Sequence, residues 1–241
     1  MIPVTPFTGY IYILDSMAIR TFTPTQATKI DDDSIVAHFS DGFLMTVAKG
    51  EVIIQGYEEP EGVFLIKSGF VKAYSISHSG QRNLLLIHEA GEFIPLPWAL
   101  DGAHTTGLFY EAMTRVTVLR TAKDRLRSAM GNNSWLSKEI MNQTVNIVSV
   151  YTQRIQTLEY RTARERLLAE LIYLAERFGE RQGKEILINA PITHQDIADS
   201  INMSRETASR ALELLFEEGL MGQEEHLFTV KDINKLQAQL G

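Results

Sequence analysis

The sequence feature that most restricts the fold is a stretch of 47 residues, positions 132–178, that contains neither glycine nor proline. As a single helix it would be a rod of roughly 70 Å, at 1.5 Å per residue, which is long for an ordinary domain. Thr162 and Glu165 have the spacing of a capping box, which marks the start of a helix. The stretch therefore predicts two consecutive helices, residues 134–160 and residues 162–178.

Residues 49–121 have a different pattern, with short apolar runs broken by glycine. Many short strands with regular turn signals indicate a β-sandwich or barrel, and Ser79-Gly80 predicts a hairpin turn. Thr121 and Asp124 also have capping-box spacing, which predicts a short helix that stops at Gly131. The predicted strands contain the runs Val52–Ile54, Val63–Ile66, Phe70–Ile76, Leu84–Ile87, Phe93–Ile94, Leu108–Met113 and Val116–Leu119.

The predicted helix at 134–160 carries two apolar stripes. A helix that is apolar on two adjacent faces needs two partners, here its own β-domain and a second copy of itself. The alternative is that both stripes enter one intrachain core. The stripe Met141, Val145, Val148 and Ile155 lies beside the other. We assign the dimer interface to the stripe with coiled-coil 4-3 spacing, which consists of Ile140, Thr144, Ile147, Tyr151 and Leu158.

Residues 193–217 contain the most specific signal in the chain. Thr193 caps a helix, with Asp196 at the reciprocal position of the box. Asn202 lies where the chain must turn sharply, and asparagine tolerates the left-handed conformation. Ser204 then caps a second helix. Two short capped helices joined by a tight turn form a helix-turn-helix. Its predicted buried residues are Ile197, Ala198, Ile201, Ala208, Ala211, Leu212 and Leu215.

The start of the second helix has the chemistry to read DNA bases. In this motif the N-terminal residues of the recognition helix face base edges in the major groove. Arginine pairs bidentately with guanine, and glutamate accepts from cytosine. The alternative is that Glu206 and Arg210 form only a surface ion pair. The expected DNA-contacting residues are Thr193, His194, Ser204, Arg205, Glu206, Thr207, Ser209 and Arg210. Residues 220–230 then predict a β-hairpin wing, followed by a short helix over 231–240.

Charge and cysteine content limit which binding partners and which cellular compartment are expected. The net charge of the chain is −7, and residues 161–241 hold ten Lys or Arg against fourteen Asp or Glu. Binding by a general attraction to phosphates is therefore excluded, and a few well-placed cations must suffice. No cysteine is present, which fits a reducing compartment. No run is apolar enough for a signal peptide or a membrane span, so we expect a cytoplasmic protein without membrane contact.

The order of glycine-punctuated β-roll, long helix and winged helix-turn-helix resembles the cyclic-AMP receptor protein and Fnr (Crp/Fnr) superfamily of bacterial transcription regulators. The segment 204–210 matches its S-R-E-T-x-x-R recognition helix, and Gly91-Glu92-Phe93 matches the β-roll spacing. The resemblance implies an α+β fold and a homodimer on double-stranded DNA, with RNA polymerase as a further partner of an activator. The likeness covers residues 31–241, which would comprise a β-roll sensor domain (31–133), a dimerisation helix (134–160) and a winged helix-turn-helix domain (161–241). From the local sequence we expect an N-terminal arm over residues 1–30 and a short helix over residues 34–43.

The same resemblance implies a palindromic operator with half-sites like TGTGA, because Arg205, Glu206 and Arg210 match the readout residues. It also argues against cyclic AMP as the effector. The phosphate-binding cassette of the family places Gly-Glu, and later Arg-Ser or Arg-Thr, where this chain has Pro95-Leu96 and Thr106-Gly107. Without cysteine the iron–sulfur cluster of the Fnr branch is excluded.

No cofactor or metal is expected, because the six histidines show no pairing pattern. The pocket region holds aromatic and other side chains that suit either an unidentified apolar effector or the filling of a vestigial pocket. They are Phe93, Trp98, Phe109, Tyr110, Tyr151 and Thr152. A ligand sensor with a protein-contact output is the alternative function. No catalytic motif indicates an enzyme.

Overall fold

The computed structural model describes residues 39, 42–101, 107–157 and 159–240. The N-terminal part consists of two four-stranded antiparallel sheets followed by helices. Its elements are β1 (Phe43–Val47), β2 (Val52–Ile54), β3 (Val63–Ser68), β4 (Val71–Ile76), β5 (Arg82–His88), β6 (Phe93–Ile94), α1 (Leu96–Ala99), β7 (Phe109–Ala112), β8 (Val116–Thr121), α2 (Lys123–Asn132) and α3 (Ser134–Thr157). The sheet orders are β1-β8-β3-β6 and β2-β7-β4-β5, so the predicted β-roll is confirmed.

Strand β3 is buried on both faces, because one face packs against the other sheet and the opposite face packs against the helices. Phe64 and Ile66 belong to the core between the sheets. Val63 and Leu65, on the opposite face, pack in a second core with Leu126, Leu136 and Ile140 of α2 and α3. This alternation fixes the long helix against the outside of the roll.

Two sequence predictions in this part were wrong, and a third falls mostly outside the described residues. Thr121 does not cap α2, because it is the last paired residue of β8, opposite Val63; the N-cap is Ala122, with no side-chain bond. Gly131 does not end α2, which runs to Asn132. The predicted helix over 34–43 falls mostly outside the described residues, and Phe43 begins strand β1 instead.

Helix α3 begins at a local cap and ends earlier than predicted. The Oδ1 atom of Asn133 accepts from the backbone N–H of Leu136 at 3.1 Å. The helix ends at Thr157 rather than at Tyr160, because turn bonds take over, from the N–H of Glu159 to the carbonyl of Gln156 at 3.0 Å. Leu158 is not among the described residues.

The C-terminal domain is a winged helix-turn-helix with a four-stranded sheet. Its elements are α4 (Ala163–Phe178), β9 (Gly179–Gln182), β10 (Glu185–Ile188), α5 (His194–Ser200), α6 (Arg205–Glu217), β11 (Met221–Glu224), β12 (Leu227–Val230) and α7 (Ile233–Gln237), with the strand order β11-β12-β10-β9. The capping box of Thr162 and Glu165 is confirmed. Gly179 directly follows α4 because any side chain there would collide with the carbonyl of Ala175.

Polar contacts hold the two domains together. Arg154 of α3 donates to the carbonyl of Leu85 in β5 at 2.7 Å and to the carbonyl of Ser200 in α5 at 3.1 Å. Lys72 of β4 bonds Asp196 of α5 at 2.9 Å. The long helix and the β-roll therefore both set the orientation of the helix-turn-helix.

Candidate nucleic-acid interface and effector pocket

Side-chain caps shape both helices of the helix-turn-helix, as the sequence predicts. The hydroxyl of Thr193 accepts from the N–H of Asp196 at 3.1 Å, and Asp196 accepts from the N–H of Thr193 at 3.0 Å. The hydroxyl of Ser204 accepts from the N–H of Thr207 at 3.1 Å. Asn202 takes the left-handed conformation, with φ of 54°. These local bonds determine where α6 begins and therefore which residues lie in its first turns.

The first turns of α6 present an exposed polar face. Arg205, Glu206, Thr207 and Arg210 are exposed, and Ser209 is partly exposed. The opposite face is apolar and buried, through Ala208, Leu212 and Leu215. Within the described part of the chain no ion pair joins Glu206 to Arg210, so the surface-pair alternative finds no support there. The guanidinium and carboxylate groups stay available for an external partner.

Two further predicted contact residues bond to each other. The Nδ1 atom of His194, at the start of α5, lies 3.0 Å from the Oγ atom of Ser209 in α6. The imidazole also stacks on the ring of Phe228 in β12, with centroids 5.7 Å apart. The first helix, the recognition helix and the wing thus meet at His194.

Several cationic side chains of this acidic domain form ion pairs with carboxylates of the same chain. Arg164 pairs with Glu218 at 2.6 Å, Lys231 pairs with Glu185 at 2.8 Å, and Arg177 pairs with Glu92. Arg205 and Arg210 have no such partner among the residues that the structure describes. Both arginines of the recognition helix are therefore available to an external partner such as a nucleic acid.

The structure reverses the assignment of the two stripes on α3. Ile140 of the predicted interface is only 1% exposed, and Ile147 and Tyr151 pack against the intrachain core. Thr144 is half-buried, and its hydroxyl donates to the carbonyl of Ile140 at 2.8 Å. The neighbouring stripe of Met141, Val145, Val148 and Ile155 is instead exposed to solvent. Its exposed fractions are 63% at Met141, 47% at Val145, 58% at Val148 and 66% at Ile155.

The exposed stripe also has coiled-coil spacing. Met141, Val145, Val148, Thr152 and Ile155 follow one another at intervals of four, three, four and three residues. Periodicity of this kind places all five on one seam of a helix. An exposed apolar seam of this kind is typical of a protein contact.

The predicted effector-pocket residues do not surround one cavity. Phe93, Trp98 and Tyr110 are buried core residues. Phe109 stacks on Tyr74, with centroids 5.5 Å apart, and Thr152 is exposed on α3. Phe93 borders a small space of about 20 Å³ between β5, α3 and α4, whereas Tyr151 borders a separate open cleft of about 410 Å³. The space beside Phe93 holds about one water molecule, which favours the filling interpretation at that place.

A buried charged cluster lies beside this small cavity, and the sequence analysis missed it. The carboxylate of Glu92 lies 2.6 Å from Nδ1 of His88 and also forms an ion pair with the guanidinium of Arg177 in α4. Burial raises the pKa of Glu92, but the hydrogen bond from His88 and the charge of Arg177 outweigh it and hold that pKa below its ordinary value. Burial raises the pKa of the nearby Tyr173 to about 12. Glu92 therefore stays ionised and ties the β-roll to the DNA-binding domain.

Neither a metal site nor a membrane-spanning helix is found among the described residues. Across the described ranges no three His, Asp or Glu side chains come together as a metal site would require. Their helices include none that is both long and apolar enough to cross a membrane.

Comparisons with known proteins match both domains. Residues 44–133 match the cyclic nucleotide-binding domain family, and residues 165–239 match the Crp-like helix-turn-helix domain family. Electron transport regulator A of Shewanella oneidensis is 27% identical over 197 residues, which is 81% of this chain and 77% of that protein. The fumarate and nitrate reduction regulatory protein of Salmonella typhi is 24% identical, over 81% of this chain and 77% of that one.

Solved structures support the same fold. A CooA mutant from Carboxydothermus hydrogenoformans has a TM-score of 0.75 at 20% identity, covering 90% of this chain and 99% of that one. FixK2 from Bradyrhizobium japonicum has a TM-score of 0.68 at 22% identity, covering 82% and 96%. The chain belongs to the Crp/Fnr superfamily of transcription regulators, which carry a helix-turn-helix DNA-binding domain.

Proposed function

We propose that this chain is a cytoplasmic, homodimeric transcription regulator that binds a palindromic operator with TGTGA-like half-sites. The observation that carries this is the exposed face of α6, where Arg205, Glu206 and Arg210 are free of ion pairs within the described residues. Two arginines and a glutamate at the start of a recognition helix suit guanine and cytosine edges in the major groove. The net charge of the domain agrees with selective rather than general binding.

The exposed stripe of α3 supports the dimer. Two copies that pair through Met141, Val145, Val148, Thr152 and Ile155 would bury this seam. A two-fold dimer presents two recognition helices to successive major grooves, about 34 Å apart. This spacing would make the operator an inverted repeat.

We further propose that cyclic AMP is not the effector. Leu96, which stands where the family cassette has its glutamate, is buried in the second core, between the β-roll and the helices. Thr106 lies outside the described residues. The cavity of about 20 Å³ beside Glu92 is far smaller than a nucleotide. The protein would bind its operator without a small molecule.

The test is a titration of purified protein, without added ligand, into a labelled duplex with inverted TGTGA half-sites and into a scrambled duplex at equal salt. We expect tight binding to the palindrome alone, unchanged by added cyclic AMP. Equal binding to both duplexes would contradict base readout. A gain in affinity with cyclic AMP would contradict the effector proposal.

A further inference from the structure

His194 and Ser209 form a pair that spans the helix-turn-helix. The Nδ1 to Oγ distance is 3.0 Å. The imidazole is held from the other side by the buried ring of Phe228, which itself stacks on Phe216 at 6.3 Å. These contacts within the protein fix where Nδ1 lies relative to α6 in the free chain.

Ser209 lies on the exposed face of α6 with the other polar residues. It follows Glu206 by three positions and precedes Arg210 by one, and residues three and four apart share a face of a helix. Its side chain is partly exposed. The hydroxyl can therefore contact His194 and an external group at once.

The contact to His194 restricts what Ser209 can offer to a base. A hydroxyl has one hydrogen to donate and lone pairs to accept. If Nδ1 accepts, the hydrogen of Ser209 points to His194 and only a lone pair faces outward. If Nδ1 donates, the hydrogen is free to face outward. A hydroxyl without this partner rotates and suits base donors and acceptors alike.

We propose that His194 is a positioning residue for base readout, which holds the Ser209 hydroxyl in one direction so that it discriminates at one base pair of each half-site. This rests on the proposed DNA-binding function and adds a specificity element to it. The pair acts as a unit, so removing either partner should remove the same discrimination.

The test is a double-mutant cycle on an operator and on all its single base-pair variants. His194→Phe keeps a ring to stack on Phe228 but removes Nδ1, and Ser209→Ala removes the hydroxyl. His194→Asn places an amide atom the same number of bonds from the backbone as Nδ1, and is the conservative variant. Thermal unfolding of each variant checks that the fold is intact.

We expect His194→Phe and Ser209→Ala to reduce discrimination at the same base pair by about three- to tenfold, the range of one hydrogen bond. The double variant should lose no more than either single one, and His194→Asn should retain most of the discrimination. Additive losses, losses at different base pairs, or a uniform loss on all duplexes would overturn the proposal while leaving DNA binding in place. Failure of the wild type to prefer any duplex would overturn the proposed function as well.

Discussion

At the scale of single residues, the start of the recognition helix is determined by hydrogen bonds between residues close together in sequence. Ser204 caps α6 three residues before Thr207, and Thr193 caps α5 three residues before Asp196. Because each cap involves residues of one turn, the sequence predicts which side chains stand at the start of α6. Their chemistry then determines what they can read.

Arg210→Ala should weaken operator binding by roughly 1–3 kcal/mol and relax selectivity at one base pair, because it removes a bidentate contact to guanine. The measurement is a titration on the operator and on its single base-pair variants. Arg181→Ala is the matched control, since it removes the same charge from an exposed position in β9. An equal loss from Arg210→Ala on operator and random DNA would assign Arg210 to phosphate contact only.

Glu92 gives a residue-scale prediction about acid stability. Its pKa in the folded protein is below the ordinary value, so its contribution to stability is present above that value and is lost as the pH falls through the folded pKa. Glu92→Gln should lower the free energy of unfolding by about 3 kcal/mol at pH 7, because Arg177 loses its buried partner. The gap to the wild type should narrow below about pH 4.

Urea unfolding at pH 7, 5 and 3.5 measures this gap. Glu61→Gln is the control, because Glu61 forms its ion pair with Arg120 at the surface and should matter little. A gap between Glu92→Gln and the wild type that stays constant with pH would show that Glu92 is not the group responsible.

At the scale of elements, periodicity identified two stripes on the long helix but could not choose between them. Both have apolar residues at helical spacing. The choice depends on what packs against the helix, which is the second core formed with Val63 and Leu65 of β3. The same limit explains the missed strand β1. Its exposed Phe43 and Leu44 give no alternation of buried and exposed residues.

Val148→Asp should convert the dimer to a monomer with little loss of monomer stability, because Val148 is 58% exposed in the single chain. Ile147→Asp should instead destabilise the fold, since Ile147 packs against the intrachain core and a charge there would be buried. Sedimentation velocity measures the first effect and urea unfolding the second. Gln156→Asp, at an exposed position next to the stripe, is the control and should stay dimeric. A Val148→Asp protein that sediments like the wild type would refute the interface.

At the scale of the whole molecule, the two domains are joined by contacts between residues far apart in sequence. Lys72 and Asp196 are 124 positions apart, and Glu92 and Arg177 are 85 apart. Sequence pattern predicted each domain from its own periodicity and caps. It could not predict these pairs, because nothing local distinguishes Asp196 as a partner of the β-roll from an ordinary helix-capping residue.

These contacts bear on how the regulator works. Arg154 bonds the sensor strand β5 and the end of α5 from its place on the long helix. The orientation of each recognition helix is therefore tied to the helix that would form the dimer. If the protein needs no effector, as proposed, the spacing between the two recognition helices would be built into the fold.

The most direct test of sequence-specific dimeric binding is an unbiased selection from a pool of random duplexes with the purified, ligand-free protein. We predict enrichment of an inverted repeat with TGTGA-like half-sites whose centres lie about one helical turn apart. Enrichment of a single half-site, or of no sequence at all, would contradict this account.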